Sequence, residues 1–340
     1  MSSSQPVPET RAMASDALSA DDAWRMLRRY GGWPLLRDAF LRFRYGDGFS
    51  HARALGLQLS LAALPFLIAL TGLASKLGIA RGGRVVADTV FALTPGASKS
   101  LVDDLMNNGR TGAAGELALT VGLLTAMVAL TVAIGQIERG ANRIYGVERD
   151  RPVLRKYPRA FVLAVVAGLP AFAGFFALVA GAPLGDSVQR WYEWGAGAGA
   201  AWRVLRWPLS LGATVMAVTV LFRYSPRRRQ PSMSWLLMGA GVATAIWWLA
   251  SLLLGAFIKL SGSFSATYGG LTAVVGLLIW ANLTGIALFL GVAFAAQLEA
   301  RRVGVPDPSL PDRWQPREEE SGDDSEESTH TGNADRVGAG

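Results

Sequence analysis

Ionised residues divide the chain so that six long uncharged intervals remain, at 54–75, 117–137, 160–185, 207–222, 230–258 and 260–298. An ionised side chain at the centre of a bilayer costs about 2.5–3.5 kcal/mol, so charge-free runs mark where a chain can cross one. A hydrocarbon core of about 30 Å needs about 20 apolar residues of helix. Five intervals reach that length, and 207–222 is shorter. Arg206 and Arg223 at its ends can snorkel to the interfaces, where Trp207 and Tyr224 also belong. The last interval is too long for one helix, and its start, Ser261-Gly-Ser-Phe-Ser-Ala-Thr-Tyr268-Gly-Gly, is turn chemistry. The pattern predicts an all-α polytopic integral membrane protein with six transmembrane helices, about 54–75, 117–137, 160–183, 207–224, 234–258 and 271–298. Pro65 and Pro170 fall inside spans one and three, where each removes a backbone donor and is expected to kink its helix.

Outside the spans the periodicity changes. Trp24, Leu27 and Tyr30, then Leu36, Phe40 and Phe43, recur at three- and four-residue steps among Arg28, Arg29, Arg37, Asp38, Arg42 and Arg44. Gly31-Gly32 and Pro34 divide this stretch into two short amphipathic helices within 21–50, which are expected to lie on the cytoplasmic interface. Residues 1–20 and the acidic segment 301–340 read as disordered tails. The loop 76–116 is long and moderately apolar, so short helices are expected in it. The first apolar run begins only at Ala54, which reads as a retained span and not a signal peptide.

Composition sharpens this picture and charge redirects it. Of 340 residues 51% are hydrophobic and 17% charged, and the net charge is +7. A basic chain invites a nucleic-acid reading, but residues 318–340 hold eight acids and one base, which leaves the first 317 residues at +14. Of the 33 Lys and Arg, 24 lie in the N-terminal region, 138–159, 223–229 and the C-terminal tail, against nine in the alternate loops. By the positive-inside rule both termini are cytoplasmic. The basic excess is then a topology signal whose partner is anionic lipid at the cytoplasmic face, with no nucleic acid implied.

Little catalytic chemistry is available. There are no cysteines and two histidines, His51 and His330, so neither a thiol nucleophile nor a Cys-containing zinc site can form, and no metal, cofactor or catalytic residue is expected. Away from their ends the spans carry no ionisable side chain, which weakens an obligate proton relay. Their polar residues, among them Gln58, Ser60, Thr131, Gln136, Thr214, Thr244, Ser251 and Thr284, read as interhelical hydrogen-bonding groups. Gly168, Gly174, Gly239, Gly241, Gly276, Gly285 and Gly291 read as packing sites.

Four groups of segments stand in order along the chain: Phe43-Arg-Tyr-Gly-Asp-Gly-Phe-Ser-His-Ala-Arg-Ala-Leu with Leu59-Ser-Leu-Ala-Ala-Leu-Pro65; Ala141-Asn-Arg-Ile-Tyr-Gly-Val147 with Arg151-Pro152 and Arg159; Leu205-Arg-Trp-Pro208, Tyr224-Ser-Pro226, Gly239-Ala240 and Trp247-Trp248; and Tyr268-Gly-Gly-Leu271 with Trp280 and Gly291. Taken together they resemble the YihY/virulence factor BrkB family of membrane proteins, once labelled ribonuclease BN. The resemblance runs from roughly 40 to 300 and implies an integral inner-membrane protein of a bacterium, with no agreed catalytic residues to carry over. The ribonuclease label fails on chemistry. A metal-dependent nuclease needs clustered His and Asp ligands, an acid/base nuclease a pair of His or a His with Lys, and neither is offered here.

The expectation is therefore a protein without enzymatic activity that transports or translocates an amphipathic substrate such as a lipid. Its candidate contacts are Arg143, Arg151, Arg155, Arg159 and Arg206, ringing a cytoplasmic mouth suited to an anionic headgroup, with Asn142 and Asn282 as polar lining. The alternative is a non-transporting scaffold or envelope-assembly partner that uses the amphipathic N-terminal segment as its contact surface.

Overall fold

A computed structural model describes residues 4–10, 18–76, 112–179, 185, 186, 188, 196–260 and 272–310. Among these, eight helices form and no strand beyond an isolated bridge between Ser4 and Ser309. Two short helices, α1 (Ala20–Tyr30) and α2 (Gly32–Tyr45), precede six long ones. The long helices are α3 (Gly48–Lys76), α4 (Gly112–Ile144), α5 (Val153–Val179), α6 (Ala196–Tyr224), α7 (Met233–Leu260) and α8 (Thr272–Arg302).

Local chemistry sets the short pair. Ser19 opens α1 with a capping box, its Oγ accepting from the Asp22 N–H while the Asp22 carboxylate accepts from the Ser19 N–H. Gly31, at φ 77°, turns the chain into α2 in a backbone setting that a side chain would oppose. Leu35, Ala39, Arg42 and Phe43 form the buried face of α2, while Trp33, Leu36 and Phe40 remain exposed on the other. The pair closes one end of the bundle, α1 against α7 and α8, and α2 chiefly against α8.

The six long helices form a closed ring. Each packs on the next, α3 on α4 through α7 on α8, and α8 returns to α3. Where α7 meets α8, Gly239 and Gly291 face one another so closely that a Cβ on Gly291 would lie 2.5 Å from that of Ala243. The packing role expected of these two glycines therefore holds, whereas Gly241 faces open space. Pro65, Pro170 and Pro208 lie inside continuous helices.

Four of the helices hold stretches long and apolar enough to cross a membrane: Leu119–Ile144, Gly197–Tyr224, Met233–Ile258 and Val274–Arg302. Large apolar side chains cover the outside of the ring, for example Leu124, Val128, Leu169, Leu209, Leu252 and Phe257, all more than half exposed apart from the protein's own contacts. So continuous an apolar exterior suits lipid and not water.

Two corrections concern the tails. Residues 4–10 are not loose: the Gln5 N–H donates to Pro308 O, the Val7 N–H to Tyr145 O, both at 3.1 Å, and the Ser4 hydroxyl to Arg143 O at 2.6 Å. Residues 303–310 form the other side of this contact, with Gln297 donating to Pro306 O. Neither segment has hydrophobic periodicity; both are held by backbone groups that composition does not register. Residues 1–3, 11–17 and 311–340 of the tails, and 77–111 of the long loop, lie outside the described residues.

Candidate functional site

The charged end of the ring is built by arginines that finish helices. The last carbonyls of a helix have no partner within it and carry its negative pole, so a guanidinium placed there satisfies both needs. Arg159 donates to Tyr224 O at 3.0 Å, and Arg151 to Ser225 O and Pro226 O, each at 2.7 Å. Arg42, wholly buried, reaches Ile144 O at the end of α4, Gln5 O, Asp307 O and the Gln297 side chain. Burial lowers its guanidinium to about 10, still charged at neutral pH.

Carboxylates complete the network. Glu138 pairs with Arg151 at 3.1 Å. Glu299 forms a two-bond pair with Arg228, at 2.8 and 3.1 Å, with both side chains buried. Burial opposes the Arg228 charge, but the Glu299 carboxylate opposite outweighs it and raises the guanidinium above its ordinary value. The Tyr145 ring lies 4.4 Å from that guanidinium. Burial and the Glu299 charge push the Tyr145 hydroxyl well above the usual phenol range. Asp150 accepts from Asn142 and pairs with Arg139 and Lys156. Burial would raise its carboxyl, yet these three partners together hold it below the ordinary value.

The expected ligand contacts accordingly divide. Asn142 is fully buried and spent, its amide N–H on Asp150 and its oxygen on the Arg227 N–H at 2.7 Å. Arg151 and Arg159 are structural ties, Arg143 is half-buried with its carbonyl on Ser4, and Arg155 is exposed beside them. Arg206 and Asn282 do not join this group. Arg206 precedes Tyr224 by 18 residues on α6, or about 27 Å of helix axis at 1.5 Å per residue. Asn282 lies on α8 where that helix crosses Gly56 of α3, and it does not line the cavity described next. In place of a single mouth ringed by all these groups, the structure has a cross-tied end. The partners that consume the arginines are largely backbone carbonyls, which a charge count does not reveal.

Inside the ring lies an apolar cavity of about 230 Å³ to which all six long helices contribute. Leu55, Leu130, Ile134, Ala167, Leu221 and Leu288 are among its walls, and no ionisable side chain lines it. Its few polar groups are already paired. Thr214, Thr244 and Thr284 donate to the carbonyls of Ser210, Ala240 and Trp280 one turn back. Trp247 donates to Thr284 at 3.1 Å, and Trp280 to Ser251 at 3.2 Å. The interhelical role expected of the hydroxyls is thus corrected in part: Ser60, Thr131, Thr214 and Thr244 donate within their own helices, and the indoles bridge between helices. A hydroxyl in a water-free helix satisfies itself most cheaply on the carbonyl four residues back. A second chamber of about 600 Å³ separates α6 from α7 and shares Thr214, Thr244 and Trp247 with the first. Neither space was legible from residue types alone, because it depends on which helix faces turn inward.

A family model described as Virulence factor BrkB matches residues 39–315. Among curated proteins, a putative ribonuclease-like protein YfkH of Bacillus subtilis (strain 168) is 25% identical over 275 residues, which is 78% of this chain and 96% of the relative. A UPF0761 membrane protein of Stenotrophomonas maltophilia (strain R551-3) is 26% identical over 81% of this chain, and one of Chromohalobacter salexigens 26% identical over 78%. The chain spans 64% and 63% of the length of those two relatives. No solved structure matches it.

Proposed function

The chain belongs to the virulence factor BrkB family, and from that premise we propose that it is a six-span bacterial inner-membrane protein, with both termini cytoplasmic, that translocates an amphipathic lipid without catalysing a covalent reaction. The observation that carries this reading is the closed ring of six helices around a cavity whose polar groups are already paired. Apolar cavities of about 150 Å³ stay dry and accept apolar guests, and this one is larger. With no unspent donor on its walls, it receives hydrocarbon and leaves a headgroup to the ring's ends. The N-terminal segment 4–10, the α4–α5 and α6–α7 links and residues 303–310 share the arginine-rich end. That grouping suits a cytoplasmic face of anionic lipid, with Trp33, Leu36 and Phe40 of α2 seated in its interface.

Purified full-length protein in vesicles of phosphatidylethanolamine and phosphatidylglycerol, carrying a headgroup-labelled fluorescent phosphatidylglycerol, tests this. Dithionite bleaches label in the outer leaflet only, so it reports exchange between leaflets. The wild type is expected to expose the protected half of the label. Ala171→Phe, which fills the cavity, is expected to slow that exposure about tenfold, equivalent to about 1.4 kcal/mol of barrier. Exchange no faster than in protein-free vesicles would overturn the reading.

A further inference from the structure

Arg206 stands apart from the arginines of the charged end by its place on α6, 18 residues before Tyr224. It stands one residue before Trp207, and its guanidinium lies 5.3 Å from the centre of that indole. Its Nε is buried without a hydrogen-bond partner among the described residues, as are those of Arg228, Arg301 and Arg302, but unlike Arg228 and Arg301 it has no carboxylate beside it there. A buried guanidinium nitrogen left unpaired is costly, and an oxyanion from outside the chain would supply the missing partner. Counting about 20 residues of hydrocarbon-spanning helix back from Tyr224 reaches Arg206 and Trp207. Both therefore sit at headgroup level in the leaflet opposite the charged end.

The chamber between α6 and α7 begins at this point. Trp207, Leu211 and Val215 form one wall, and Gly241, Ala245 and Trp248 the other. Trp207, Leu211 and Trp248 are roughly half exposed at 46%, 53% and 42%, so the chamber opens sideways to the bilayer. The two indoles meet edge to face at the Arg206 end, with ring centres 6.3 Å apart. No side chain occupies the space beside Gly241. The floor is formed by Thr214, Thr244 and Trp247, which also line the central cavity and whose donors are spent. A cation at the rim, an aromatic pair below it and a dry apolar slot leading inward match one chemistry: a phosphate diester carrying a hydrocarbon chain.

We propose that the α6–α7 chamber binds one acyl chain of an anionic phospholipid from the leaflet opposite the charged end, with Arg206 holding its phosphate. This rests on the translocation reading, since it supplies the lateral route by which a lipid reaches the central cavity. The rim fixes the headgroup while the chain passes Trp207 and Trp248 toward Thr214 and Thr244. Residues remote from the charged end thus choose the lipid, and the arginine-rich end sets the orientation of the bundle.

The test uses the full chain in vesicles of phosphatidylethanolamine and phosphatidylglycerol that contain a phosphatidylglycerol with a diazirine midway along one chain. After irradiation, labelled peptides are mapped by mass spectrometry. Label is expected to concentrate at Leu211, Val215, Ala245 and Trp248. Arg206→Gln is expected to lower it about tenfold, at the low end for a charge-assisted hydrogen bond. Arg206→Lys is expected to restore most of it, and excess inorganic phosphate to leave it in place. Label spread evenly over outward positions such as Leu124 and Leu169, indifference to Arg206→Gln, or displacement by inorganic phosphate would each overturn the site. Label that persists without leaflet exchange keeps the site and removes translocation; leaflet exchange without chamber label does the reverse.

Discussion

Glu299→Ala is expected to destabilise the protein by about 3–5 kcal/mol, the cost of leaving one member of a buried ion pair without the other. The Arg228 side chain is 2% exposed and that of Glu299 0%, so bulk water does not reach the guanidinium to replace the lost carboxylate. Tyr145 below the guanidinium supplies only a ring face, and a cation–π contact is worth about 2 kcal/mol when desolvated. Thermal unfolding in a fixed detergent is expected to shift down on the order of 10 °C. The pair as a whole is a different matter. Replacing both members, Glu299→Leu with Arg228→Met, removes two desolvation costs together, and most of the lost stability is expected to return. A double variant as unstable as Glu299→Ala would mean that Arg228 serves some purpose beyond pairing.

Arg42→Met is the second large effect, at about 3 kcal/mol, because it removes hydrogen bonds from several buried acceptors at once while keeping most of the volume. Those acceptors are the Gln297 side chain and the carbonyls of Gln5, Ile144 and Asp307. Arg42 is thus the pin through α2, the end of α4, the N-terminal segment and the C-terminal segment. Amide exchange at the Gln5 and Val7 N–H groups, protected by Pro308 O and Tyr145 O, is expected to accelerate in the variant while exchange within α7 stays unchanged. Arg42→Lys is expected to recover little, since a point charge on one stem cannot serve the three guanidinium nitrogens at their separate partners. Uniform acceleration through the bundle would contradict a local pin. A deletion of residues 1–45 would remove Arg42 and the buried face of α2 along with any docking surface on α1 and α2, so it would unfold this end instead of distinguishing a transporter from a scaffold.

Helices were the most legible part of the sequence, because charge exclusion from an apolar medium is severe enough to show without structural knowledge. Most of each uncharged interval lies on a long helix, while 180–184 and the turn-forming 261–270 lie outside the described residues, and several helices run past the intervals into charged residues. Helix α4 continues to Ile144 and carries Glu138, Arg139 and Arg143 on its final turns. The acids that matter most, Glu138 and Glu299, stand at those helix ends within reach of arginine-rich segments, and this was the available signal for the buried pairs. Positive-inside counting registers how many arginines lie on a side and says nothing of what they touch. Arg151 and Arg159 therefore read as headgroup contacts and Arg42 as a polar position of an interfacial helix, although the structure spends all three on carbonyls. Arg206, grouped with them by charge, is set apart by its place on α6. The cavity was beyond reach of the sequence for another reason: Leu130 and Leu124 are alike in type, and only the rotation of α4 sends one inward and the other to lipid.

The most direct measurement is an electron cryo-microscopy map of the full chain in nanodiscs of phosphatidylethanolamine and phosphatidylglycerol. A ring that shelters hydrocarbon predicts rod-shaped density running from the α6–α7 opening past Thr214 and Thr244 into the space bounded by Trp247 and Thr284. A cavity closed by its own side chains, or threaded by a file of hydrogen-bonded waters, would contradict it.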